Sequence, residues 1–360
     1  MDFKPGLEGV TAVKTALSKV DGEAGRLIFR GYEADELARK HQFEEAVHLL
    51  WYGTMPTDDE LSKLKEELKK NRKVPEKIVT LIKELPEDME MMAVLRTCIS
   101  ALGYETEWPP KPEEAIRITA ITPTILTYRY RLMNNQEVVS PNNDLDHVAN
   151  YLYMLRGEEP TKDHTDALNA YFILTAEHGL NAATFTSRVI TSTQSDMFSA
   201  ITGAIGAMKG PLHGGAPSGV MDMLDEIGSM DYVESWIRKK LENDEKLMGF
   251  GHRVYKTMDP RSEALRDITS KMSENDEWLA LAKQVEKRAI ELLEEYKPGR
   301  RLYTNVEFYA AAIFRSIDFP SPLFTPTFTA SRMAGWCAHI MEQGNNNRIF
   351  RPLAAYTGDE

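Results

Sequence analysis

The chain has 360 residues, 42% hydrophobic and 27% charged, and this length allows a substantial core in two domains or one large domain. Its formal net charge of −12 gives no overall electrostatic support for binding nucleic acid or an anionic membrane surface, so neither partner is expected. We expect a cytoplasmic protein, because no apolar run reaches membrane-spanning length and residues 1–20 lack a charged-then-hydrophobic leader.

The first predicted element is a β-hairpin. Weak strand signals in residues 12–20 and 26–32 flank a turn-prone stretch from Asp21 to Gly25. Beyond this hairpin, helical periodicity dominates the sequence. Thr57 and Glu60 have the spacing of a capping box, and leucines recur on one helical face after them.

Apolar stripes predict further helices along the rest of the chain. One helix begins at residue 75, and others cover residues 87–102, 113–132, 163–178, 196–208, 217–227, 232–241 and 275–296. Pro123 lies inside one of these stretches and should kink the helix or split it in two. Cys98 and Cys337 lie in apolar stretches and are expected to be reduced core residues. The sequence therefore predicts an almost entirely α-helical protein.

Two concentrated stretches carry the chemistry: GPLHGGAP at 210–217 and GFGHRVYKTMDPR at 249–261. Each places a histidine, His213 or His252, directly beside glycine, where the backbone can approach a ligand closely. The second adds Arg253, Lys256 and Arg261, so that an imidazole lies among fixed positive charges. Chemistry on a carboxylate or a phosphate ester needs such a combination. A glycine-rich turn with a capping histidine explains one stretch equally well, but two stretches favour a functional site.

Several rival chemistries lack their sequence signals. No pair of histidines has the i, i+4 spacing of a helical metal site, and neither HExxH nor CxxC occurs. The G-x-S-x-G elbow of serine hydrolases, the dinucleotide-binding fingerprint and the P-loop are also missing. Acid–base chemistry with carboxylate recognition remains.

Several segments resemble the citrate synthase family. GFGHRVYKTMDPR resembles the signature segment of these enzymes residue for residue, and GPLHGGAP resembles the segment that precedes it in the family. The resemblance extends along essentially the whole chain and includes residues 20–37, 175–188, 303–317, 330–343 and 348–352. It implies an all-α, two-domain citrate synthase-like helical fold with a small N-terminal β-hairpin. Residues 1–214 plus 319–360 would form a large helical domain and residues 215–318 a small one, with the active site in the cleft.

The resemblance also implies a reaction. Citrate synthases condense acetyl-CoA with oxaloacetate and water to give citrate and CoA, with the coenzyme A thioester as co-substrate and no tightly bound cofactor or metal. Glu307 would enolise the thioester methyl group, His213 would donate to the thioester oxygen, and His252 would polarise and protonate the ketone. A base and a donor are both needed because the C–H proton is only weakly acidic.

The other site residues implied by the resemblance bind substrates. The oxaloacetate carboxylates would be held by His178, Arg261 and Arg332, since arginine pairs with carboxylates in a bidentate way. Arg351 would complete the site of the other subunit in a homodimer. Arg253 and Lys256 would bind the phosphates of CoA, although exposed basic pairs are commonly only solvated.

Some histidines have a structural explanation. Taken alone, His178 at the end of a predicted helix is explained by the helix dipole, and only the surrounding match favours a ligand. Five histidines lack any comparable context and are expected to be structural or surface residues: His41, His48, His147, His164 and His339.

The chain departs from the family at the catalytic carboxylate, which is usually aspartate but here is Glu307. The extra methylene moves the carboxylate by up to about 1 Å, and a misplacement of that size costs on the order of 100-fold in rate. A slow citrate synthase, a pocket adjusted to glutamate, and a 2-methylcitrate synthase using propionyl-CoA all fit. A catalytically weak binding or regulatory protein is the alternative outside enzymes, but an abandoned site has no reason to keep Arg261, Arg332 and Arg351.

Overall fold

The computed structural model describes residues 3–213, 218–252, 254–272 and 277–359. Over these ranges the regular secondary structure is almost entirely helical, as predicted, and none of the helices is long and apolar enough to cross a membrane. The helices are α1 (Ala34–Lys40), α2 (Phe43–Tyr52), α3 (Asp58–Lys70), α4 (Glu76–Glu84), α5 (Met91–Leu102), α6 (Pro112–Met133), α7 (His147–Arg156), α8 (Lys162–Ala176), α9 (Ala182–Ser192), α10 (Met197–Met208), α11 (Ser218–Ile227), α12 (Val233–Glu242), α13 (Pro260–Met272), α14 (Glu277–Tyr296), α15 (Val306–Ser316) and α16 (Phe324–Asn345).

The predicted N-terminal hairpin is confirmed, with one additional short strand. Strands β1 (Ser18–Asp21), β2 (Arg26–Phe29) and β3 (Tyr32–Glu33) form an antiparallel sheet in the order β1-β2-β3. Residues 12–17, which were expected to belong to the first strand, are irregular. The all-α fold class with a small N-terminal hairpin is therefore correct.

The sequence patterns predicted the start of α3 correctly but predicted α6 only in part. The hydroxyl of Thr57 accepts from the Glu60 amide at 3.3 Å, while the Thr57 amide donates to the Glu60 carboxylate at 2.8 Å, so the capping box is present. Splitting at Pro123 is not observed, because α6 continues through the proline. A buried proline is tolerated there because α6 packs against α5, α7 and α16, and this tertiary packing outweighs the missing hydrogen bond.

Helix α16 is the central helix of the core. It is buried along nearly its whole length and packs against α2, α6, α8, α9 and α10, as expected of a helix that is apolar all round. Both cysteines are free and buried in this core, as predicted. Gly335 lets α16 approach the end of α8, because a Cβ at this position would lie 2.2 Å from the carbonyl oxygen of Ala176.

Candidate active site

The first site histidine lies in a turn between two helices. Helix α8 ends at Ala176, two residues earlier than predicted, so His178 is not a helix residue. Gly179 has φ +62°, a backbone conformation that glycine adopts without steric cost. Asn181 then caps α9 by accepting from the Thr184 amide at 3.0 Å. The tight turn between α8 and α9 therefore sets where the His178 ring lies.

His178 meets the segment containing His252 in a cluster of three rings. The hydroxyl of Tyr255 lies 3.2 Å from Nε2 of His178, and the two histidine rings are 5.6 Å apart in an edge-to-face arrangement. The Tyr255 ring lies 4.8 Å from the ring of His252. The structure thus brings together two of the predicted histidines and adds Tyr255, whose role sequence reasoning missed.

The backbone holds His252 in one tautomer. Its Nδ1 accepts from the main-chain amides of Val254 at 3.0 Å and Tyr255 at 3.1 Å. A nitrogen that accepts two N–H groups carries no hydrogen, so the proton of the neutral ring is on Nε2. Burial, with the positive charge of Arg261 as a further cause, lowers the pKa of His252 to about 4, which keeps the ring neutral near pH 7.

Arg261 is fixed by an acidic partner two residues before it. Nε and Nη2 of Arg261 donate to the two carboxylate oxygens of Asp259 at 3.0 and 2.8 Å, and both side chains are almost fully buried. This bidentate pairing leaves the other edge of the guanidinium free to face the cluster. Asp259 is a second residue that sequence reasoning missed, although the Asp-Pro-Arg spacing was visible.

Arg332 approaches the same region from α16. Its Nε donates to the carbonyl oxygen of Thr175 at 2.6 Å, and its guanidinium lies 4.9 Å over the ring of Phe328. Burial lowers the pKa of Arg332 to about 10, which the negative charge of Glu177 opposes, so the guanidinium stays charged at neutral pH. Two buried cations therefore reach the cluster, one from α13 and one from α16.

The ring proton of His213 is on Nδ1, whereas that of His252 is on Nε2. Its Nε2 accepts from the main-chain amide of Ala183 at 3.3 Å, in the first turn of α9. Burial, followed by the charge of Arg332, lowers the pKa of His213, so the neutral ring carries its hydrogen on Nδ1. The rest of the GPLHGGAP segment, residues 214–217, lies outside the described residues.

Glu307 lies in the first turn of α15, where Asn305 caps the helix by accepting from the Glu307 amide at 3.0 Å. Burial raises the pKa of Glu307, and the charge of Arg261 partly opposes this shift. The same segment is tied to the stretch before His252, because the Gly251 amide donates to the Tyr303 carbonyl at 2.8 Å. The side chain of Asn305 also donates to the Gly251 carbonyl at 3.1 Å. The candidate base and His252 are therefore positioned by one pair of bonded segments.

The remaining predicted residues lie elsewhere or outside the described chain. Arg351 is exposed on the C-terminal tail, where it lines a cavity of about 1060 Å³ together with Lys14 and Arg188. Lys256 is exposed and pairs with Glu23 of the hairpin turn at 2.8 Å. Arg253 lies outside the described residues. Among the residues that are described, no group of three or more His, Cys, Asp or Glu side chains could hold a metal ion.

The five histidines without sequence context are held by protein contacts. Two of them are fully buried, His147 against Phe43 and His339 between Arg188 and Glu177. The others contact the carboxylate of Glu45, the carbonyl of Thr54 and the guanidinium of Arg156; these are His41, His48 and His164.

The arrangement suits one kind of chemistry. Three partly buried imidazoles have lowered pKa values, and for His178 burial, the first of several causes, lowers the pKa well below its usual range. Two buried guanidinium groups provide positive charge for a dicarboxylate. The carboxyl group of Glu307, whose pKa is raised, is close enough to Arg261 for the guanidinium charge to oppose that shift. Such a site can bind a small dianion and move a proton next to it.

Comparison with known proteins gives a consistent result. The family model "Citrate synthase, C-terminal domain" matches residues 6–353. The chain is 42% identical to citrate synthase 2 of Bacillus subtilis, over 99% of this chain and 96% of that protein. It is 39% identical to a 2-methylcitrate synthase of Mycobacterium tuberculosis, over 100% of this chain and 91% of that protein.

A solved structure resembles the whole chain. It is the ternary complex of carboxymethyl coenzyme A and oxaloacetate with citrate synthase from the archaeon Thermoplasma acidophilum. The TM-score is 0.91 at 33% sequence identity, with 100% of this chain and 97% of that chain covered.

Proposed function

Because this chain belongs to the citrate synthase family of acyltransferases, we propose that it condenses acetyl-CoA with oxaloacetate and water to give citrate and CoA. The observation that carries the proposal is the pairing of His252 with Arg261. Nη2 of Arg261 lies 3.3 Å from Nε2 of His252, so the guanidinium and the imidazole border the same space, and the two amides that donate to Nδ1 place the ring proton on Nε2. Adjacent keto and carboxylate oxygens of one 2-oxo acid satisfy such a pair of donors.

The first chemical step is enolisation of the thioester. Glu307 takes a proton from the methyl group of acetyl-CoA, and the enolate oxygen receives a hydrogen bond from Nδ1–H of His213. A carboxylate whose pKa is raised is a stronger base than an ordinary one. The neutral ring of His213 donates this hydrogen bond through Nδ1–H, because its Nε2 accepts from the Ala183 amide.

The second step forms the carbon–carbon bond. The enolate carbon attacks the ketone carbon of oxaloacetate, and the ketone oxygen takes the proton from Nε2 of His252. Water then hydrolyses the thioester of the condensed product, which releases citrate and CoA. His178, Arg261 and Arg332 hold the oxaloacetate carboxylates throughout, and the burial of the two arginines strengthens their charge interactions.

We extend the proposal to the architecture of the site. Residues 1–214 plus 319–360 form a large domain and residues 215–318 a small one, with the glycines around His213 as one hinge; of these, Gly214 and Gly215 lie outside the described residues. His178 and Arg332 then belong to the large domain, and His252, Arg261 and Glu307 to the small one. Arg351 completes the site of the second subunit in a homodimer, in keeping with its exposed position on the C-terminal tail.

CoA is proposed to contact Arg253 and Lys256. Lys256 supports this assignment by its position four residues after His252, and its exposed amine already binds one carboxylate, that of Glu23. A phosphate competes well for such an amine because the existing ion pair is exposed to solvent and therefore weak.

The test of the proposed reaction is release of CoA thiol from acetyl-CoA with and without oxaloacetate. Release that requires oxaloacetate supports the proposal. Binding of both compounds without release identifies a binding or regulatory protein instead.

A second candidate function, 2-methylcitrate synthesis from propionyl-CoA, is favoured by the 39% identical relative of that name. The two substrates differ by one methylene, which an apolar pocket distinguishes by only about 1–3 kcal/mol. The ratio of kcat/KM for acetyl-CoA to that for propionyl-CoA, measured on one preparation, decides between them.

A further inference from the structure

A buried chain of charged and polar side chains lies directly behind the candidate active site. Nε of Arg188 donates to Nδ1 of His339 at 2.8 Å, and Nε2 of His339 lies 3.0 Å from Oε1 of Glu177. Because arginine can only donate, Nδ1 of His339 is an acceptor and the ring proton is on Nε2. His339 therefore donates to Glu177, and all three side chains are buried.

Glu177 collects donors from three separate parts of the chain. Besides His339 of α16, its Oε1 accepts from the hydroxyl of Ser18 in β1 at 2.9 Å and from the amide of Gly179 at 2.6 Å. The bond to the Gly179 amide fixes the peptide group that follows His178, and the main chain of Glu177 itself precedes His178. The position of the His178 ring is thus tied to a carboxylate that does not itself belong to the binding set.

The same carboxylate acts on Arg332. The negative charge of Glu177 favours the charged form of this arginine, whose Nε is already held by the carbonyl of Thr175. Gly335 admits the carboxylate, because a Cβ at that position would lie 2.6 Å from Oε2 of Glu177. No hydrogen-bond partner is found for this Oε2 among the described residues, although the atom is buried.

A buried charge held in this way is costly for stability. Apolar side chains of similar volume usually stabilise a core as well or better, so the ionic chain is not explained by folding alone. Its hydrogen bonds fix the backbone on both sides of His178, and the negative charge of Glu177 acts on Arg332; these are two of the residues proposed to hold the substrate.

We propose that Glu177 and His339 are positioning residues for oxaloacetate: anchored by Arg188, they hold the His178 turn and the Arg332 guanidinium at the spacing that a dicarboxylate requires. Neither residue touches the substrate. The inference rests on the proposed function, since it concerns the same substrate and the same site.

The experiment compares two substitutions at one position. His339→Leu fills the space but removes both the donor and the acceptor, whereas His339→Gln retains an N–H for Glu177 and an oxygen for Arg188. Calorimetric titration with oxaloacetate should show binding at least about tenfold weaker in His339→Leu and within about threefold of wild type in His339→Gln. KM for oxaloacetate should rise in parallel, with KM for acetyl-CoA measured at saturating oxaloacetate little changed.

His147→Leu is the matched control. His147 is a second fully buried histidine of the same core, stacked on Phe43 at 5.4 Å and outside the network. We expect it to lower the melting temperature without weakening oxaloacetate binding. Equal weakening in His339→Leu and His147→Leu, or unchanged binding in His339→Leu, overturns the proposal.

A milder variant covers the case in which His339→Leu does not fold. Ser18→Ala removes one donor to Glu177 without opening the core, and oxaloacetate binding should weaken about two- to threefold. Unchanged affinity contradicts the positioning role. Failure of the proposed function is recognised separately, because the wild-type protein would then neither bind oxaloacetate nor release thiol.

Discussion

Nε2 of His252 lies 3.3 Å from Nη2 of Arg261, and two backbone amides donate to the opposite ring nitrogen, Nδ1, which places the ring proton on Nε2. Two donors facing each other repel unless an acceptor lies between or beside them. The backbone amides of Val254 and Tyr255 hold the ring in the donating tautomer, and Asp259 holds the guanidinium. The pair is therefore preorganised for an oxygen-rich ligand, so protein reorganisation contributes little to the barrier of reaction.

The first prediction concerns the base. Glu307→Gln keeps the size of the side chain but cannot accept the methyl proton, so kcat should fall by at least about 100-fold. Oxaloacetate binding, followed by calorimetry, should stay near the wild-type value because the binding residues are intact. Full activity in this variant would assign the base to another residue.

Glu307→Asp tests the length of the acid. The resemblance to citrate synthases implies aspartate at this position, so we expect the shorter side chain to raise kcat with acetyl-CoA, because about 1 Å of misplacement is worth up to on the order of 100-fold. Steady-state kinetics at saturating oxaloacetate provide the measurement. A fall in kcat would mean that the pocket has been shaped around glutamate.

The pH dependence of stability should reflect His252. Its pKa is about 4 in the folded protein, below that of an unfolded histidine, so the unfolded chain binds the proton more tightly. The contribution of His252 to the free energy of unfolding is therefore fully present above about pH 6.5 and is lost as the pH falls towards 4. This contribution of His252 is on the order of 3 kcal/mol.

His252→Gln is the variant that isolates this contribution. Urea unfolding at pH 7 and pH 4.5, followed by circular dichroism, should show a smaller acid loss in the variant than in the wild type. Identical losses in the two proteins would show that His252 is not held neutral by its surroundings. Other groups whose pKa values are lowered contribute to the acid loss that remains, among them His147, His178 and His213.

Substrates should bind in order. Under the proposed function, oxaloacetate would bridge His178 and Arg332 on one side and His252 and Arg261 on the other, which would give the closed state a differential affinity. Carboxymethyl coenzyme A, titrated calorimetrically, should bind at least about tenfold tighter when oxaloacetate is saturating. Arg332→Gln should reduce that factor, and an affinity independent of oxaloacetate in the wild type would rule out the order.

Arg351 should act across a dimer interface. Arg351→Ala and Glu307→Gln are each expected to be inactive alone, yet a mixture of the two after subunit exchange should recover about a quarter of wild-type activity. Only the mixed dimer has one site with Glu307 from one subunit and Arg351 from the other. An absence of recovery, with exchange verified by mass, would place Arg351 in the site of its own chain, and active monomers by sedimentation would remove the need for a dimer.

Several features of this protein are determined by residues close together in sequence. The capping box of Thr57 and Glu60, the hairpin around residues 21–25 and most helices follow from local periodicity and local hydrogen bonding, which a sequence displays directly. The glycine-flanked histidines were visible for the same reason. The length of α6 could not be read from the sequence. The helix continues through Pro123 because helices from elsewhere in the chain pack against it.

Only the tertiary structure decides how the site residues act. His339 lacked any sequence context, yet it contacts a carboxylate 162 residues away, and Tyr255 reaches His178 across 77 residues. Burial and neighbouring charge set the pKa values of His252 and Arg332, and backbone amides from other turns set which imidazole nitrogen carries the proton. These properties depend on distances of a few ångströms between segments far apart in the chain. The sequence therefore determines which chemical groups are present, and the packing determines their protonation states.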